Sequence, residues 1–192
     1  EDPVELRLKN IRQSQVHETV GYTFAKALKA ILRQDPDTLL IGEIRDVDSA
    51  TTALQAALTG IQVVATFHTF DVTGLVIRLI EMGIPRSVVA HAITGIVSTR
   101  LVRKICPSCK EHAMLTESEK KFLNFDGDFQ KGKGCDVCKN SGYLGRTGIY
   151  ELLTVDDPLR SLIHDNAGEG KLRTHAMKIG MRNLRQDGMR WV

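Results

Sequence analysis

Residues 38–43 read Thr-Leu-Leu-Ile-Gly-Glu, a short apolar run that stops at a glycine and an acid. Residues 61–69 read Ile-Gln-Val-Val-Ala-Thr-Phe-His-Thr and repeat this arrangement, with His68 in the position that Glu43 holds after the first run. Each run is long enough for a strand buried on both faces, as in a parallel sheet. Residues 48–58 carry apolar side chains at helical spacing, so the sequence predicts a strand–helix–strand unit.

The sequence on either side of this unit continues the pattern. Residues 1–20 predict an extended segment, with a partner strand over 11–16. Apolar spacing predicts helices over 23–35 and 71–82, and a helix from Pro85 whose apolar face continues to Leu101. A strand over 148–153 and helices over 157–164 and within 168–190 complete the prediction. The fold class expected is α/β with a parallel sheet.

The composition is that of a globular protein, since 42% of the 192 residues are hydrophobic and 26% are charged. This balance excludes a disordered or fibrous protein. No apolar run approaches the roughly 18–20 residues of a membrane-spanning helix. The chain begins Glu-Asp-Pro-Val-Glu, without a methionine or a signal-peptide pattern, so we expect a piece of a longer polypeptide.

The formal net charge of +3 lies in one stretch of the sequence. Residues 103–148 contain nine Lys and Arg against six Asp and Glu, whereas the remainder has 17 residues of each sign. The same stretch contains all four cysteines. The domain division expected is therefore a core over 1–102, a cysteine module over 103–148, and a returning strand with C-terminal helices over 149–192.

The cysteines form two C-x-x-C pairs, Cys106 with Cys109 and Cys135 with Cys138, separated by 25 residues. Each pair can place two thiolates on one ion from a tight turn, and two pairs complete a tetrahedral site. Two disulfides or four free thiols are the alternatives, and a chain without a secretory signal disfavours the disulfides. Because four protein ligands leave no position for water, the prediction is a structural zinc site.

Acidic residues and a histidine mark the ends of predicted strands. Glu43 and His68 follow the two apolar runs, and Glu1, Asp2 and Glu5 flank the predicted first strand. The carboxyl edge of an open parallel sheet is where α/β proteins bind ligands. A carboxylate there can hold Mg²⁺ or polarise an attacking water beside a triphosphate. The alternative is that these residues are only solvated side chains at the ends of strands. Three polar strand ends on one edge of the sheet argue against this alternative.

A phosphate-binding loop of the form G-x-x-x-x-G-K-[ST] has one near match, over residues 127–133. This stretch lacks the hydroxyl residue that ligates Mg²⁺, because Gly134 stands in its place. It also lies between the cysteine pairs and not after a buried strand. We interpret it as a flexible loop and do not expect this chain alone to hold a triphosphate.

Several segments resemble the secretion ATPases of type II secretion and type IV pilus assembly. Residues 32–46 resemble that family's Walker B region, residues 1–5 its Asp box, and residues 59–69 its His box. Residues 100–109 and 142–153 resemble its zinc module and exit strand, and the resemblance keeps one order from residue 1 to at least 165. The tetracysteine insert points to the assembly and secretion branch, since retraction ATPases of pili resemble this core but lack the insert.

The resemblance implies a partial RecA-like P-loop NTPase core, whose Walker A loop would precede residue 1, and hydrolysis of Mg-ATP by the full-length protein. It implies that Glu5 activates water, that Glu43 lies near Mg²⁺ and the attacking water, and that His68 senses the γ-phosphate. Glu1 is a further candidate for Mg-ATP binding. The family often has a second histidine where this chain has Ile61.

The same resemblance implies a cytoplasmic homo-hexamer on the inner face of the inner membrane. Its implied partners are an inner-membrane platform protein and other secretion or pilus components. Motors of conjugation, competence or DNA transfer share the core, and the zinc insert makes them a weaker alternative, except for relatives from competence pili.

A function of another class also stays open, namely a non-enzymatic zinc module that binds a membrane partner, acidic lipid or nucleic acid. The local charge of +3 suggests it. The module has few aromatic residues and its charges alternate in sign, so we expect no specific nucleic-acid binding. These aromatic residues are Phe122, Phe125, Phe129 and Tyr143.

Overall fold

The structure is a computed structural model that describes residues 1–123 and 129–191. The chain forms two compact units. Unit 1 consists of Glu1–Ile96 and Leu152–Met181, and unit 2 consists of Val97–Glu151 and Arg182–Val192. The expected domain division at residues 102 and 148 stays a prediction.

Helices and strands alternate through most of the described chain. The helices are α1 (Phe24–Ile31), α2 (Val47–Leu58), α3 (Val72–Glu81), α4 (Arg86–Ala92), α5 (Glu117–Leu123), α6 (Asp157–His164), α7 (Glu169–Lys178) and α8 (Leu184–Gly188). The strands are β1 (Thr38–Ile41), β2 (Gln62–Ala65), β3 (Gly95–Ile105), β4 (Lys110–Ala113), β5 (Phe129–Gly132) and β6 (Tyr143–Thr154). The α/β fold class is thereby confirmed. Within the described residues, no helix has the length and apolar character needed to cross a membrane.

The predicted strand–helix–strand unit is present. β1 and β2 pair in parallel, with Thr38 opposite Gln62 and Ile41 opposite Ala65, and α2 connects them. The expectation that both faces are buried is wrong, because Leu40 is 64% exposed and Val64 is 49% exposed. Only the opposite face of this two-stranded sheet packs on the core of unit 1.

The core of unit 1 is formed by the apolar faces of its helices. Val76 and Leu79 of α3 are buried with Leu159 of α6 and Leu172 of α7. With the buried residues Val72, Ile163 and Ala176, they follow the three- and four-residue spacing that places side chains on one face of each helix. Burial of each valine, leucine or isoleucine side chain among them stabilises the fold by about 1.5–3 kcal/mol, so this core fixes where the loops at the strand ends lie.

The first sixteen residues do not form the predicted strand pair. No helix or strand is assigned to residues 1–16, all of which are described. Side-chain amides hold the segment instead: Gln15 Oε1 accepts from the Val4 amide at 3.2 Å, and Gln13 Oε1 accepts from the Leu8 amide at 2.8 Å. These glutamines replace the ladder bonds of a hairpin, which the alternation of apolar and charged residues had suggested.

The helix predicted to run from Pro85 to Leu101 is also wrong beyond its first two turns. α4 ends at Ala92, and β3 begins at Gly95. The β-branched residues Ile96 and Val97 favour an extended backbone, and β3 pairs with β6. The Val155 amide bonds to the Thr94 carbonyl at 3.0 Å beside one end of this pair. Tertiary pairing therefore overrides an apolar spacing that also suits a helix.

Unit 2 contains a second small sheet. β4 pairs with β5 in antiparallel fashion, and residues 129–132 are thus a strand where a loop was expected; residues 127–128 of that expected loop lie outside the described residues. Thr116 and Glu119 form a capping box before α5, since the Thr116 amide donates to Glu119 Oε2 at 2.8 Å and the Glu119 amide to Thr116 Oγ1 at 3.3 Å. Phe125 also lies outside the described residues.

Candidate active site and metal centre

Glu43 and His68 face each other just beyond the carboxyl ends of β1 and β2. His68 Nε2 lies 3.5 Å from Glu43 Oε2, and Arg45 Nη2 forms an ion pair with Glu43 Oε1. The Glu43 side chain is only 14% exposed, whereas the His68 side chain is 87% exposed. The largely buried carboxylate of Glu43 thus lies at this edge, with one oxygen facing the exposed imidazole of His68.

Backbone bonding beyond the strands brings these two side chains together. The Ile44 amide donates to the Thr66 carbonyl at 3.0 Å, and the Thr66 hydroxyl donates to the Gly42 carbonyl. The parallel register therefore continues past Ile41 and Ala65 into both loops. This continuation places Glu43, the residue after Gly42, beside the loop that carries His68.

Glu1 also lies at this edge, but its side chain is engaged elsewhere. A Cβ on Gly42 would lie 3.3 Å from Glu1 Cα, so the N-terminal residue packs directly on the end of β1. The Glu1 carbonyl accepts from the Val16 amide at 3.0 Å, and Glu1 Oε1 accepts from Gln13 Nε2 at 3.1 Å. The role of Glu1 in Mg-ATP binding stays a prediction.

Glu5 is exposed, and its side chain forms no ion pair or hydrogen bond with the residues that the structure describes. The structure therefore shows Glu43 and His68 together and shows no ion pair or hydrogen bond from Glu5 to either of them. Its water-activating role stays a prediction.

The four cysteines form one cluster in unit 2. Their Sγ atoms all lie within 4.8 Å of one another. The separations are 3.9 Å for Cys106 and Cys135, 3.8 Å for Cys109 and Cys138, and 3.7 Å for Cys135 and Cys138. Four sulfurs at the corners of a tetrahedron, each about 2.3 Å from a central zinc, are about 3.8 Å apart. The donor set therefore fits a tetrahedral zinc ion, and no disulfide joins these four cysteines in the structure.

Backbone amides surround the sulfurs. The Gly134 amide donates to Cys109 Sγ at 3.3 Å, the Cys135 amide to Cys138 Sγ at 3.2 Å, and the Gly142 amide to Cys138 Sγ at 3.3 Å. Gly134 and Gly142 have φ angles of +98° and +74°, which favour glycine, and these turns aim the amides at the sulfurs. Amide donors of this kind stabilise negative charge on thiolate ligands.

The amides affect the cysteines unequally. Burial raises the pKa of the Cys109 thiol to about 12 and outweighs its amide donor. Burial also disfavours ionisation of Cys138, but the amides of Cys135 and Gly142 lower the pKa of its thiol to about 6. A dication would supply the positive charge that four thiolates at these distances require.

The sequence comparison identifies the family. The chain matches the type II/IV secretion system proteins over residues 1–192. The chain belongs to this family. It is 45% identical over its whole length to the type II secretion system protein HxcR of Pseudomonas aeruginosa, of which it covers 38%.

Further relatives agree with this assignment. Over 98% of the chain, the identity is 43% to the type II secretion system ATPase E of Vibrio cholerae and 42% to the type IV pilus assembly ATPase PilB of Thermus thermophilus. The chain covers 38% and 22% of these two relatives, so this family member spans well under half of their length.

A solved structure supports the fold. The crystal structure of the pilus retraction motor PilT with bound ADP is 28% identical, with a TM-score of 0.65 over 97% of this chain and 50% of that one. The Legionella pneumophila ATPase DotB, at 20% identity and a TM-score of 0.57 over 87% of this chain and 37% of that one, shares the fold.

Glu43, Arg45 and His68 lie beyond the carboxyl ends of β1 and β2, and we call this group the polar edge. The sequence did not predict that Arg45 belongs to it. Arg45 pairs with Glu43, and its pKa is raised by the hydrogen bond and the charge of Glu43, with smaller contributions from Asp2 and Glu18. Arg45 is therefore a cation in an acidic neighbourhood. The signal in the sequence was the position of Arg45 two residues after Glu43, since an arginine so close to an acid at a strand end can reach the carboxylate of that acid.

Proposed function

We propose that this chain belongs to the ATPase domain of a motor that powers type II protein secretion or type IV pilus assembly. The observation that carries the proposal is the pairing of Glu43 with His68 at the end of parallel strands, in a chain whose relatives include named secretion and pilus ATPases. The core is then RecA-like, and its Walker A loop is supplied by another part of the polypeptide. On this proposal the 192 residues alone do not hydrolyse ATP.

Phosphoryl transfer to water needs positioning and charge neutralisation more than covalent chemistry. Glu43 is suited to orient an attacking water, because Arg45 holds one carboxylate oxygen and the other faces the exposed imidazole. His68 can then donate from Nε2 to a phosphate oxygen. Glu1 and Glu43 would offer oxygen ligands to Mg²⁺, which neutralises phosphate charge when bound, and Glu5 is proposed to activate water.

The cysteine cluster is proposed to hold structural zinc and to take no part in the reaction. Its four sulfurs leave no ligand position for water. The ion would fix the turns at Gly134 and Gly142 and thereby the shape of unit 2.

The full-length protein is proposed to act as a homo-hexamer in the cytoplasm, on the inner membrane. Opening and closing of its subunits would turn a platform protein in that membrane. Acidic lipid is a further proposed partner, because Lys131, Lys133 and Lys139 are exposed on unit 2. Unchanged liposome association after these three are neutralised would remove lipid from the proposal.

The test is the Glu43→Gln variant of the full-length protein. The amide keeps the shape of the side chain but loses its charge and one acceptor oxygen, so it orients the attacking water and Mg²⁺ poorly; ATP should bind with near wild-type affinity and turnover should fall by about 100-fold. Glu81→Gln, which removes an exposed acid at the end of α3, is the matched control. Wild-type turnover by Glu43→Gln would contradict the proposed function.

A further inference from the structure

The loop that carries His68 is fixed at both ends. At its start, Thr66 is bonded to Gly42 and Ile44. At its end, Asp71 caps α3, because its Oδ1 accepts from the Gly74 amide at 2.8 Å. His68 lies between these two anchors, so its distance from Glu43 depends on both of them.

Helix α7 holds the second oxygen of Asp71. Arg173 Nη2 lies 2.6 Å from Asp71 Oδ2 and donates to Thr73 Oγ1 at 3.1 Å. Thr73 is fully buried, and its hydroxyl lies 3.2 Å from Asp71 Oδ1 and 3.2 Å from Glu169 Oε1. Two residues of α7 and two at the start of α3 thus form one polar network around a buried hydroxyl.

The position of α7 is itself fixed by a second charged contact. His175 Nε2 lies 2.9 Å from Asp156 Oδ1 and 3.0 Å from Oδ2, and Asp156 caps α6 through the Leu159 amide at 2.9 Å. The buried side chain of Leu172 anchors the same helix in the core. Because α7 is held in this way, Arg173 offers the loop a fixed cation and not a mobile one.

We propose that Arg173 is a positioning residue for His68 and acts through Asp71. The Arg173 side chain is only one-third exposed and reaches a carboxylate that also caps a helix, so the contact orients the loop end more firmly than a solvent-exposed ion pair does. Loss of the guanidinium leaves Asp71 Oδ2 without this donor and lets the loop end shift. The consequence for turnover rests on the proposed function, whereas the contact itself can be tested without turnover.

The experiment compares Arg173→Gln, Arg173→Lys and the control Lys171→Gln in the full-length protein. Lys171 is exposed on the same helix, so its variant removes the same charge without touching Asp71. Hydrogen exchange is measured for peptides that span residues 66–76, which include the capped Gly74 amide. We expect exchange there to become about tenfold faster in Arg173→Gln, partly restored in Arg173→Lys, and unchanged in Lys171→Gln.

Steady-state ATP hydrolysis supplies the second readout. Arg173→Gln should lower kcat by about tenfold while KM for ATP stays within about twofold, because misplacement of a catalytic group affects the reaction more than binding. Wild-type protection over residues 66–76, or a kcat equal to that of Lys171→Gln, would overturn the proposal. If Glu43→Gln retains turnover, the proposed function fails while the exchange result still decides the role of Arg173.

Discussion

The two candidate sites differ in how they are assembled. The cysteine cluster takes all its ligands from two short turns and brings four sulfurs within 4.8 Å of one another. The polar edge takes Glu43 and His68 from the loops after two strands that are separated in sequence by a helix, and Glu5 forms no ion pair or hydrogen bond with either of them. The cysteine cluster has all four of its proposed ligands together, whereas the polar edge brings together only Glu43 and His68 of its three proposed catalytic residues.

This difference is the one that the two proposed functions require. A structural metal site must hold its ion permanently, so its ligands are fixed by local backbone turns. A site that binds and releases a nucleotide must open and close, and such sites are often completed only by motion of loops or subunits. The exposed His68 and the buried Cys106 and Cys138 express these two requirements.

The largest effect is expected from Cys138→Ser, which breaks the complete site. Serine keeps the size of the side chain but is a poor zinc ligand, and structural zinc contributes about 10–16 kcal/mol to small metal-dependent domains. Zinc content should fall from one per chain to near zero, and unit 2 should become sensitive to protease. Elemental analysis and limited proteolysis measure both, with exposed Ser108→Ala as the control. One zinc per chain in Cys138→Ser would contradict the assignment.

A second test breaks the same region without touching a ligand. A Cβ on Gly132 would lie 1.9 Å from the Gly142 carbonyl oxygen, which is backbone and cannot rotate away. Gly132→Ala should therefore destabilise unit 2 by about 3 kcal/mol or more, at the upper end of the cost of overpacking. Gly170→Ala, where a Cβ meets nothing within 4 Å, is the control. Equal melting temperatures for the two variants would show that the backbones at Gly132 and Gly142 are not in close contact.

The third prediction tests whether Glu5 acts together with Glu43 and His68, through the variant Glu5→Gln. If Glu5 joins Glu43 and His68 when nucleotide binds, loss of its basic oxygen should lower kcat by about 100-fold. The ATP hydrolysis assay of the full-length protein measures this, with Glu81→Gln again as the control. A wild-type rate would mean that Glu43 and His68 work without Glu5.

The smallest effect is expected from Asp156→Asn, which lies in neither site. Asparagine also caps a helix, so the variant removes only the charge that faces His175. The hydrogen bond from His175 lowers the pKa of Asp156 below its usual 3.8. The charge of Asp156 facing His175 therefore stabilises the fold at pH values above 3.8. This stabilisation is lost as the pH falls through the lower pKa that Asp156 has in the folded state.

Thermal melts as a function of pH measure this contribution. The wild type should exceed Asp156→Asn by at most about 1 kcal/mol near neutral pH. The difference should shrink as the pH falls below 3.8. Equal stability at neutral pH would indicate that Asp156 acts only as a cap, and a difference that persists in acid would contradict a contribution from its charge.

The sequence was most informative where structure is local. The cysteine spacing predicted the cluster because each pair is confined to one tight turn. The runs at 39–41 and 63–65 predicted parallel strands because each has three consecutive apolar residues. The segment 85–101 was mispredicted because Ile96 and Val97 suit a helix face and a strand equally well by spacing alone.

Long-range contacts could not be predicted in the same way. The bond from Arg173 to Asp71 joins residues about a hundred positions apart, and nothing in either local sequence indicates the other. The glutamine side chains that hold residues 1–16 are likewise invisible to a hydropathy pattern. These contacts depend on how helices pack, which the sequence specifies only through the whole core.

The most direct test of the central claim is single-turnover hydrolysis of bound ATP by zinc-replete, full-length Glu43→Gln. Because ATP is bound before the reaction is followed, this measurement separates the chemical step from binding and release. The proposed function predicts full occupancy by ATP with hydrolysis slowed by about 100-fold relative to wild type. Hydrolysis of the bound ATP at the wild-type rate would contradict the assignment of the reaction to the edge where Glu43 meets His68.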